Sequence, residues 1–543
     1  MQVKATAYRT TKGNSCMNAK VKTGLLASGV LTIIGAAVCF AGPADAQSAK
    51  IAPATMPKIG TIDERFQSYN VEMVEVTGGR FWKPYASKTE AQPATNGIAG
   101  LDPNLFQYRK PIDLTNARLR KLAAALGPAY VRVSGTWANA TYFQNSDDPA
   151  PATPPKGFNG VLTRQQWKGV VDFSKAVDAK IVTSFATSGG TRDANGLWTP
   201  EQAQQFVDYT NSIGGSIAAA EFMNEPNMPE GAATPKGYDA AAYGRDVTVF
   251  HAWAKRALPG MVFLGPGAAG EGTLIVPGAM RLLTSESLLT ATGPAFDAFS
   301  YHSYGGVSSR CGMFGKAATT SADAALSEEW LARPGLVIDF YGGIRDRFEP
   351  GKPLWNTETA QTACGGDRWA STFLDSFRYL NQLGLSAKRG VQVHMHNTLA
   401  SSDYGLLDET TYEPRPNYWA ALLWRKFMGA TVLDPGPSPA PSLHLYAQCL
   451  RDQPGGVALL AINASKTEAQ TLDIPTAGER YTLTAQDLAG GDVELNDRVL
   501  KLGVKDAMPR MRPMPAHPGK VIFVPESITF LAMPQAHNAS CGQ

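Results

Sequence analysis

The chain has no Gly-rich phosphate or dinucleotide fingerprint behind any of its strand-like runs, which argues against nucleotide-dependent chemistry and implies no cofactor. Clustered Lys and Arg are also missing, so nucleic acid or a long acidic polymer is not an expected partner. The whole chain has 50 Lys and Arg against 47 Asp and Glu, but five of the basic residues lie near the amino terminus and the remainder is close to neutral. None of the six cysteines forms a C-x-x-C pair, so zinc is the weaker reading of them and no metal site is expected. Only the apolar stretch Leu25 to Ala41 approaches a membrane-spanning length, and it is interrupted by Gly29 and Gly35 and shorter than the ~20 residues a span needs. Lys4, Arg9, Lys12, Lys20 and Lys22 precede it and Ala44-Asp45-Ala46 follows, the pattern of a secretory signal over residues 1–46. The remaining chain is then secreted or periplasmic, with no membrane attachment. There is no internal repeat and no long low-complexity tract.

What is present is material for a large core: 44% of the 543 residues are hydrophobic and 18% charged. Eight strand-like runs, Asn70–Val76, Ala129–Ser134, Ile181–Ala186, Ile217–Met223, Val262–Gly265, Ala298–Tyr301, Pro353–Glu358 and Val391–Met395, alternate with helical patterns such as Leu114–Leu126 and Tyr238–Ala257. Thr199-Pro200-Glu201-Gln202 has the composition of a capping box. The alternation predicts an α/β fold, a (β/α)8 TIM barrel over residues 61–430, in preference to an open doubly wound sheet. Pro435, Pro437, Pro439 and Pro441 mark a change of texture, and residues 431–543 read as an all-β sandwich. Residues 47–60 are placed to add a strand to that sandwich.

Without the signal, which takes Cys16 and Cys39, four cysteines remain, with three possible pairings. Cys449 and Cys541 stand at the two ends of the β-rich tail, where a bridge would hold a terminus that otherwise frays. Cys311 and Cys364 follow strand-like runs, and we expect them to tie two loops at the same end of the barrel. Asn139, Asn463 and Asn538 each open an N-x-S/T motif.

The chemistry lies in two carboxylates. Asn224-Glu225-Pro226 closes the fourth strand-like run and Glu358 the seventh, and a barrel puts all its strand C-termini on one face. Breaking an acetal between sugars needs one group to protonate the departing oxygen and another to attack the anomeric carbon, which two carboxyls in unlike surroundings can do. A surface or salt-bridged role is the ordinary reading of either glutamate alone; the pair points to a glycosidase.

Asn-Glu-Pro at strand four with a second Glu at strand seven is the pattern of the large glycosidase clan that uses a barrel and retains anomeric configuration. The chain more closely resembles the heparanase family, glycoside hydrolase family 79. The likeness is carried by Leu126-Gly127-Pro128-Ala129-Tyr130-Val131-Arg132-Val133-Ser134-Gly135-Thr136, Phe222-Met223-Asn224-Glu225-Pro226-Asn227, Tyr301-His302-Ser303-Tyr304, Leu354-Trp355-Asn356-Thr357-Glu358-Thr359 and Leu383-Gly384-Leu385-Ser386-Ala387, and continues through Tyr404 and Pro416-Asn417-Tyr418-Trp419. It implies Glu225 as acid/base and Glu358 as nucleophile, their carboxyls about 5–5.5 Å apart as in retaining enzymes. Glu225 must hold a proton, which calls for partial burial, and Glu358 must stay ionised, which calls for donors around it. The resemblance also implies Tyr304 against the nucleophile, His302 on the same wall, Asn224 at the 2-hydroxyl, Asp63 and Thr136 near other hydroxyls, and Gly365, Gly366 and Tyr404 around a uronate carboxylate. Where the family carries glutamine, Asn397 stands here.

The activity implied is retaining hydrolysis of β-D-glucuronides, with a glucuronic-acid-containing saccharide or glucuronide as partner. The animal heparanases carry a long excised segment and basic stretches near the cleft, whereas Ser146 to Asn159 is short, Pro-rich and not basic. Exo-cleavage of terminal glucuronic acid is therefore favoured over endo-cleavage of heparan sulfate. A non-catalytic carbohydrate-binding barrel is the rival from another class.

Overall fold

A computed structural model of the chain describes residues 49–85, 103–272, 282–314 and 318–542. The signal read over residues 1–46, with Cys16 and Cys39, lies outside them. Among the described residues no helix is long and apolar enough to cross a membrane.

Eight parallel strands close into a barrel in chain order: β1 (Gln67–Asn70), β2 (Ala129–Val133), β3 (Ala179–Ser184), β4 (Ile217–Glu221), β5 (Val262–Ala268), β6 (Ala298–Val307), β7 (Leu354–Ala363) and β8 (Val391–His396), with β8 returning to pair with β1. Helices follow the strands in turn: α1 (Ala117–Ala125), α2 (Arg164–Ala176), α3 (Glu201–Ser212), α4 (Ala240–Ala257), α5 (Ser285–Thr292), α6 (Glu328–Phe348), α7 (Phe373–Lys388) and α8 (Pro416–Phe427). The fold is thus the expected TIM barrel with an additional C-terminal β region.

Three local expectations differ, the first being that β7 runs on to Ala363, so Glu358 stands within it and does not close it. The first strand lies before, not across, Val71–Val76, because Met73–Thr77 forms a short helix whose N-cap Glu72 gives its backbone N–H to Glu75 Oε2 at 2.7 Å. The capping box at Thr199 does not form: Thr199 Oγ1 donates to the Thr191 carbonyl at 3.2 Å, and Gln202 Oε1 instead accepts from Phe143 N at 2.9 Å. A complete box forms at Thr163 and Gln166, opening α2.

The barrel interior is built in layers, as a period-two strand dictates. Tyr130, Val182, Ala219, Leu264, Ala298, Trp355 and Val393 make an apolar plug. Two residues further along their strands stand Arg132, Ser184, Glu221 and Ser300, so the layer nearer the strand C-termini is polar and buried.

The C-terminal part of the chain builds two β-sheets. The larger includes Met428–Leu433, Leu443–Leu450, Val457–Asn463, Gly478–Thr484 and Ser527–Met533; the smaller joins Gln470–Ile474 to Gly519–Phe523. The segment before the barrel supplies a strand to each, Lys58–Thr61 against Met428–Leu433 and Ala49–Lys50 against Gln470–Ile474. Gly384 on α7 is glycine because the Tyr446 ring lies 2.3 Å from where a Cβ would stand, and the Tyr446 hydroxyl donates to Asn381 at 2.6 Å, so sheet and barrel share one core. Cys449 and Cys541 are bonded across 92 residues of sequence, a closure contributing on the order of 4 kcal/mol in the chain-entropy model. Asn139, Asn463 and Asn538 are all buried and hydrogen-bonded within the chain, so the folded protein presents none of its three N-x-S/T asparagines to solvent.

Candidate active site

Arg132 near the end of β2 organises the bowl. Its side chain is buried, and it gives Nη1 to Glu358 Oε2 and Nη2 to Glu221 Oε2 and Asn224 Oδ1, each at 2.8 Å. Glu221 also accepts from Ser300 Oγ at 2.8 Å and Thr357 Oγ1 at 2.7 Å. Burial alone would raise its pKa, but Arg132 and His302 outweigh that and hold Glu221 as a carboxylate. β7 carries one extra residue here: Tyr301 pairs with Asn356 and His302 with Glu358. That bulge lets Thr357 reach Glu221 while Glu358, the next residue, still turns into the bowl.

Glu358 is gripped from two sides. Oε2 faces Arg132, and Oε1 accepts from the Tyr304 hydroxyl at 2.5 Å. Burial pushes its pKa up, but His302, Arg132 and Tyr304 together bring it below the ordinary carboxylate value. Glu225 sits in a different setting, with 16% of its side chain exposed and its backbone in the left-handed region at φ 48°. Its Oε1 lies 3.1 Å from His302 Nδ1. One oxygen of Glu225, one of Glu358 and a nitrogen of His302 lie within 4.8 Å of one another. Such a spacing could also ligate a cation, but Arg132 already supplies a positive charge at Glu358. His302 is fully buried; desolvation favours its neutral form, yet the surrounding carboxylates, Glu358 foremost, push its pKa up to about 10. One carboxyl is thus kept ionised by donors and the other is left open to the bowl.

No protein-family model matches the chain. Among curated proteins, heparanase-like protein 1 of Arabidopsis thaliana is 27% identical over 67% of this chain and 67% of its own length. Mus musculus heparanase is 26% identical over 81% of this chain and 89% of its own. This chain is a glycoside hydrolase, similar in sequence to the heparanases. The baicalin-β-D-glucuronidase of Scutellaria baicalensis is 24% identical over 78% of this chain and 84% of its own length. Among solved structures, a 4-O-α-L-rhamnosyl-β-D-glucuronidase from Fusarium oxysporum superposes with a TM-score of 0.58 at 13% identity, covering 89% of this chain and all of that one, which supports the shared barrel fold.

The structure of this heparanase-like chain gathers most of the other residues singled out from sequence. Asn224 is fixed by a reciprocal pair with Asn139, whose Oδ1 accepts from Asn224 N at 2.8 Å and whose Nδ2 donates to the Asn224 carbonyl at 2.9 Å. Asn224 Nδ2 reaches Thr136 Oγ1 at 3.5 Å. Asn397 Nδ2 bridges the hydroxyls of Tyr304 and Tyr404, both at 3.2 Å. His396 Nε2 lies 2.8 Å from the Tyr404 carbonyl; burial lowers its pKa to about 3, so it is a neutral imidazole donating there. Gly365 and Gly366 lie beside Tyr404, whose backbone nitrogen would be 3.1 Å from a Cβ on Gly366.

Asp63 does not join them. It precedes β1, accepting from Arg65 N at 2.7 Å and giving its own N–H to the Gln392 carbonyl at 3.2 Å, which places it at the opposite, N-terminal mouth of the barrel. The acid beside β1 at the correct end is Glu72. It is buried facing the Asn397 amide, and desolvation together with the nearby Glu358 raises its pKa well above the ordinary value. Gly135 is the counterpart of this placement: a Cβ there would stand 1.5 Å from Glu72 Oε2. Glu72 Oε2 and Asn397 Oδ1 have no partner among the described residues.

Proposed function

We propose that this heparanase-like protein removes terminal β-D-glucuronic acid from glucuronides by retaining double displacement, with Glu358 as nucleophile and Glu225 as acid/base. The observation that carries the proposal is the pair of unlike carboxyls with an oxygen of each within 4.8 Å of the other, a closeness that suits the ~5–5.5 Å carboxyl separation of retaining enzymes better than the ~6.5–9.5 Å of inverting ones. In the first step Glu358 attacks C1, the C1–O bond breaks, and the Glu225 proton passes to the departing oxygen. In the second, Glu225 takes a proton from water as its oxygen attacks C1, and Glu358 leaves as carboxylate. Arg132 and Tyr304 stabilise Glu358 whenever it carries charge. Asn224 is placed for the 2-hydroxyl, and Glu72 and Asn397 for hydroxyls on the far side of the ring.

The uronate is assigned to Gly365, Gly366 and Tyr404, a cluster that combines backbone N–H groups with a phenol. Glucuronide specificity is further supported by the names of the relatives, and terminal action by the near-neutral charge and the lack of a basic stretch for holding a polymer. The carbohydrate-binding alternative has little support, since both carboxyls and the groups that position them are present. The deciding experiment is hydrolysis of a chromogenic β-glucuronide followed by proton NMR: the first sugar released should be the β-anomer, and first release of the α-anomer would overturn retention.

A further expectation concerns selectivity. Tyr404→Phe removes one donor to a charged group in a buried site, a loss of about 1.5–3 kcal/mol, or roughly tenfold to a hundredfold in kcat/KM on glucuronides. Activity on the matching neutral glucoside should scarcely change. An equal loss on both substrates would mean that Tyr404 supports the shape of the site and does not read the carboxylate.

A further inference from the structure

We propose that the Cys311–Cys364 disulfide determines specificity by holding the turn Cys364-Gly365-Gly366 in the shape that receives the substrate carboxylate. The inference rests on the glucuronide reading above.

The bridge joins the segment that follows β6, which carries His302 and Tyr304, to the residue that follows β7, which carries Glu358. Cys364, Gly365 and Gly366 stand in succession in the left-handed region, at φ +64°, +83° and +85°. For the glycines this costs little. For a residue with a Cβ it costs roughly 1–2 kcal/mol, and such a conformation persists only where the surroundings impose it. The surroundings here are specific. A Cβ on Gly365 would lie 2.6 Å from Trp82 Cβ and 2.7 Å from Ser402 Oγ, so the backbone is pressed between two neighbours. The Gly365 carbonyl accepts from Ser402 Oγ at 2.9 Å and Asp403 N at 3.2 Å. Leu105, Val307, Trp82 and Phe106 pack over the bridge itself.

The disulfide is therefore the covalent member of a set of contacts that fixes three left-handed residues next to Tyr404. Without it Cys364 can relax to negative φ, which would reorient the Gly365 and Gly366 amides that follow it. Glu358 would be little disturbed, because Arg132 and Tyr304 hold it independently of the turn.

The test measures the binding of two isofagomine inhibitors, one bearing a carboxylate where glucuronic acid has it and one bearing the neutral hydroxymethyl group. Wild type should prefer the carboxylate form. In C311A/C364A the affinity for that form should fall roughly tenfold, the scale of one charge-assisted hydrogen bond, while the neutral form binds within about twofold of wild type. C311A/C364G, which restores a residue that accepts positive φ without restoring the bond, should regain part of the preference. C449A/C541A should lower Tm and leave the preference as in wild type. If C311A/C364A does not fold, folded C449A/C541A treated with a phosphine gives the same comparison, the remaining disulfide becoming two thiols as the phosphine becomes its oxide. An unchanged preference in C311A/C364A, or equal loss of both ligands, overturns the inference alone; a wild type with no preference for the carboxylate overturns the glucuronide reading and this inference with it.

Discussion

Glu358→Ala should abolish turnover of every glucuronide, whatever the leaving group, because the first covalent step loses the group that attacks C1. Glu225→Ala should behave differently. Proton donation by a positioned acid is worth about 10²–10⁴-fold, and that factor matters only where the departing oxygen is basic. A nitrophenyl glucuronide should still form the glycosyl-enzyme, which then accumulates because no base activates water, and azide, needing no base, should restore its breakdown. The product should be the β-glucuronosyl azide, since two displacements at C1 restore the configuration. Azide acting on Glu358→Ala should instead give the α-azide by one displacement. The α-azide from the Glu225 variant would mean that the two roles are exchanged.

The carboxyl pair was legible in the sequence because each member closes a strand-like run, and a barrel turns strand ends into a common face whatever the intervening loops do. Tyr304, Asn224, Asn397 and Tyr404 followed from the family likeness, and the disulfide pairing from where the cysteines stand relative to strands. Glu72 was not legible. It lies in Val71-Glu72-Met73-Val74-Glu75-Val76, whose apolar residues read as a continued strand, and only the short helix at Met73–Thr77 turns its carboxyl into the bowl. Asp63 drew attention in its place because Thr61-Ile62-Asp63 matches a family motif in letters, while the strand it precedes begins four residues later. Arg132 and Glu221 carry a signal of their own in the sequence. Each is a single charge in a run otherwise apolar, Ala129–Val133 and Ile217–Glu221, and charges in central barrel strands are buried and must find partners.

Those two residues set the second large effect. Arg132→Met removes the partner of both Glu221 and Glu358, and stripping one member from a buried ion pair costs about 3–5 kcal/mol. For a chain of this length that is a Tm fall of only a few degrees, on the order of one degree per kcal/mol. The larger consequence is at Glu358. Its carboxyl is held low against the pull of burial, so its contribution is present above the unfolded carboxylate value of about 4.3 and is lost as pH falls through the still lower folded value. With Arg132 gone burial weighs more, the pKa of Glu358 rises, and the acid limb of kcat/KM should move to higher pH. Arg132→Lys keeps the charge but cannot form the fork that reaches Glu221, Glu358 and Asn224 together, so it should fall between. A double variant separates stability from catalysis. R132M/E221Q removes the second orphaned charge and should recover part of the lost Tm, because the two single effects are coupled; the acid limb should stay displaced, because Glu358 still lacks its cation. Return of that limb to its wild-type position in the double variant would show that Glu221, and not Arg132, sets the protonation of the nucleophile.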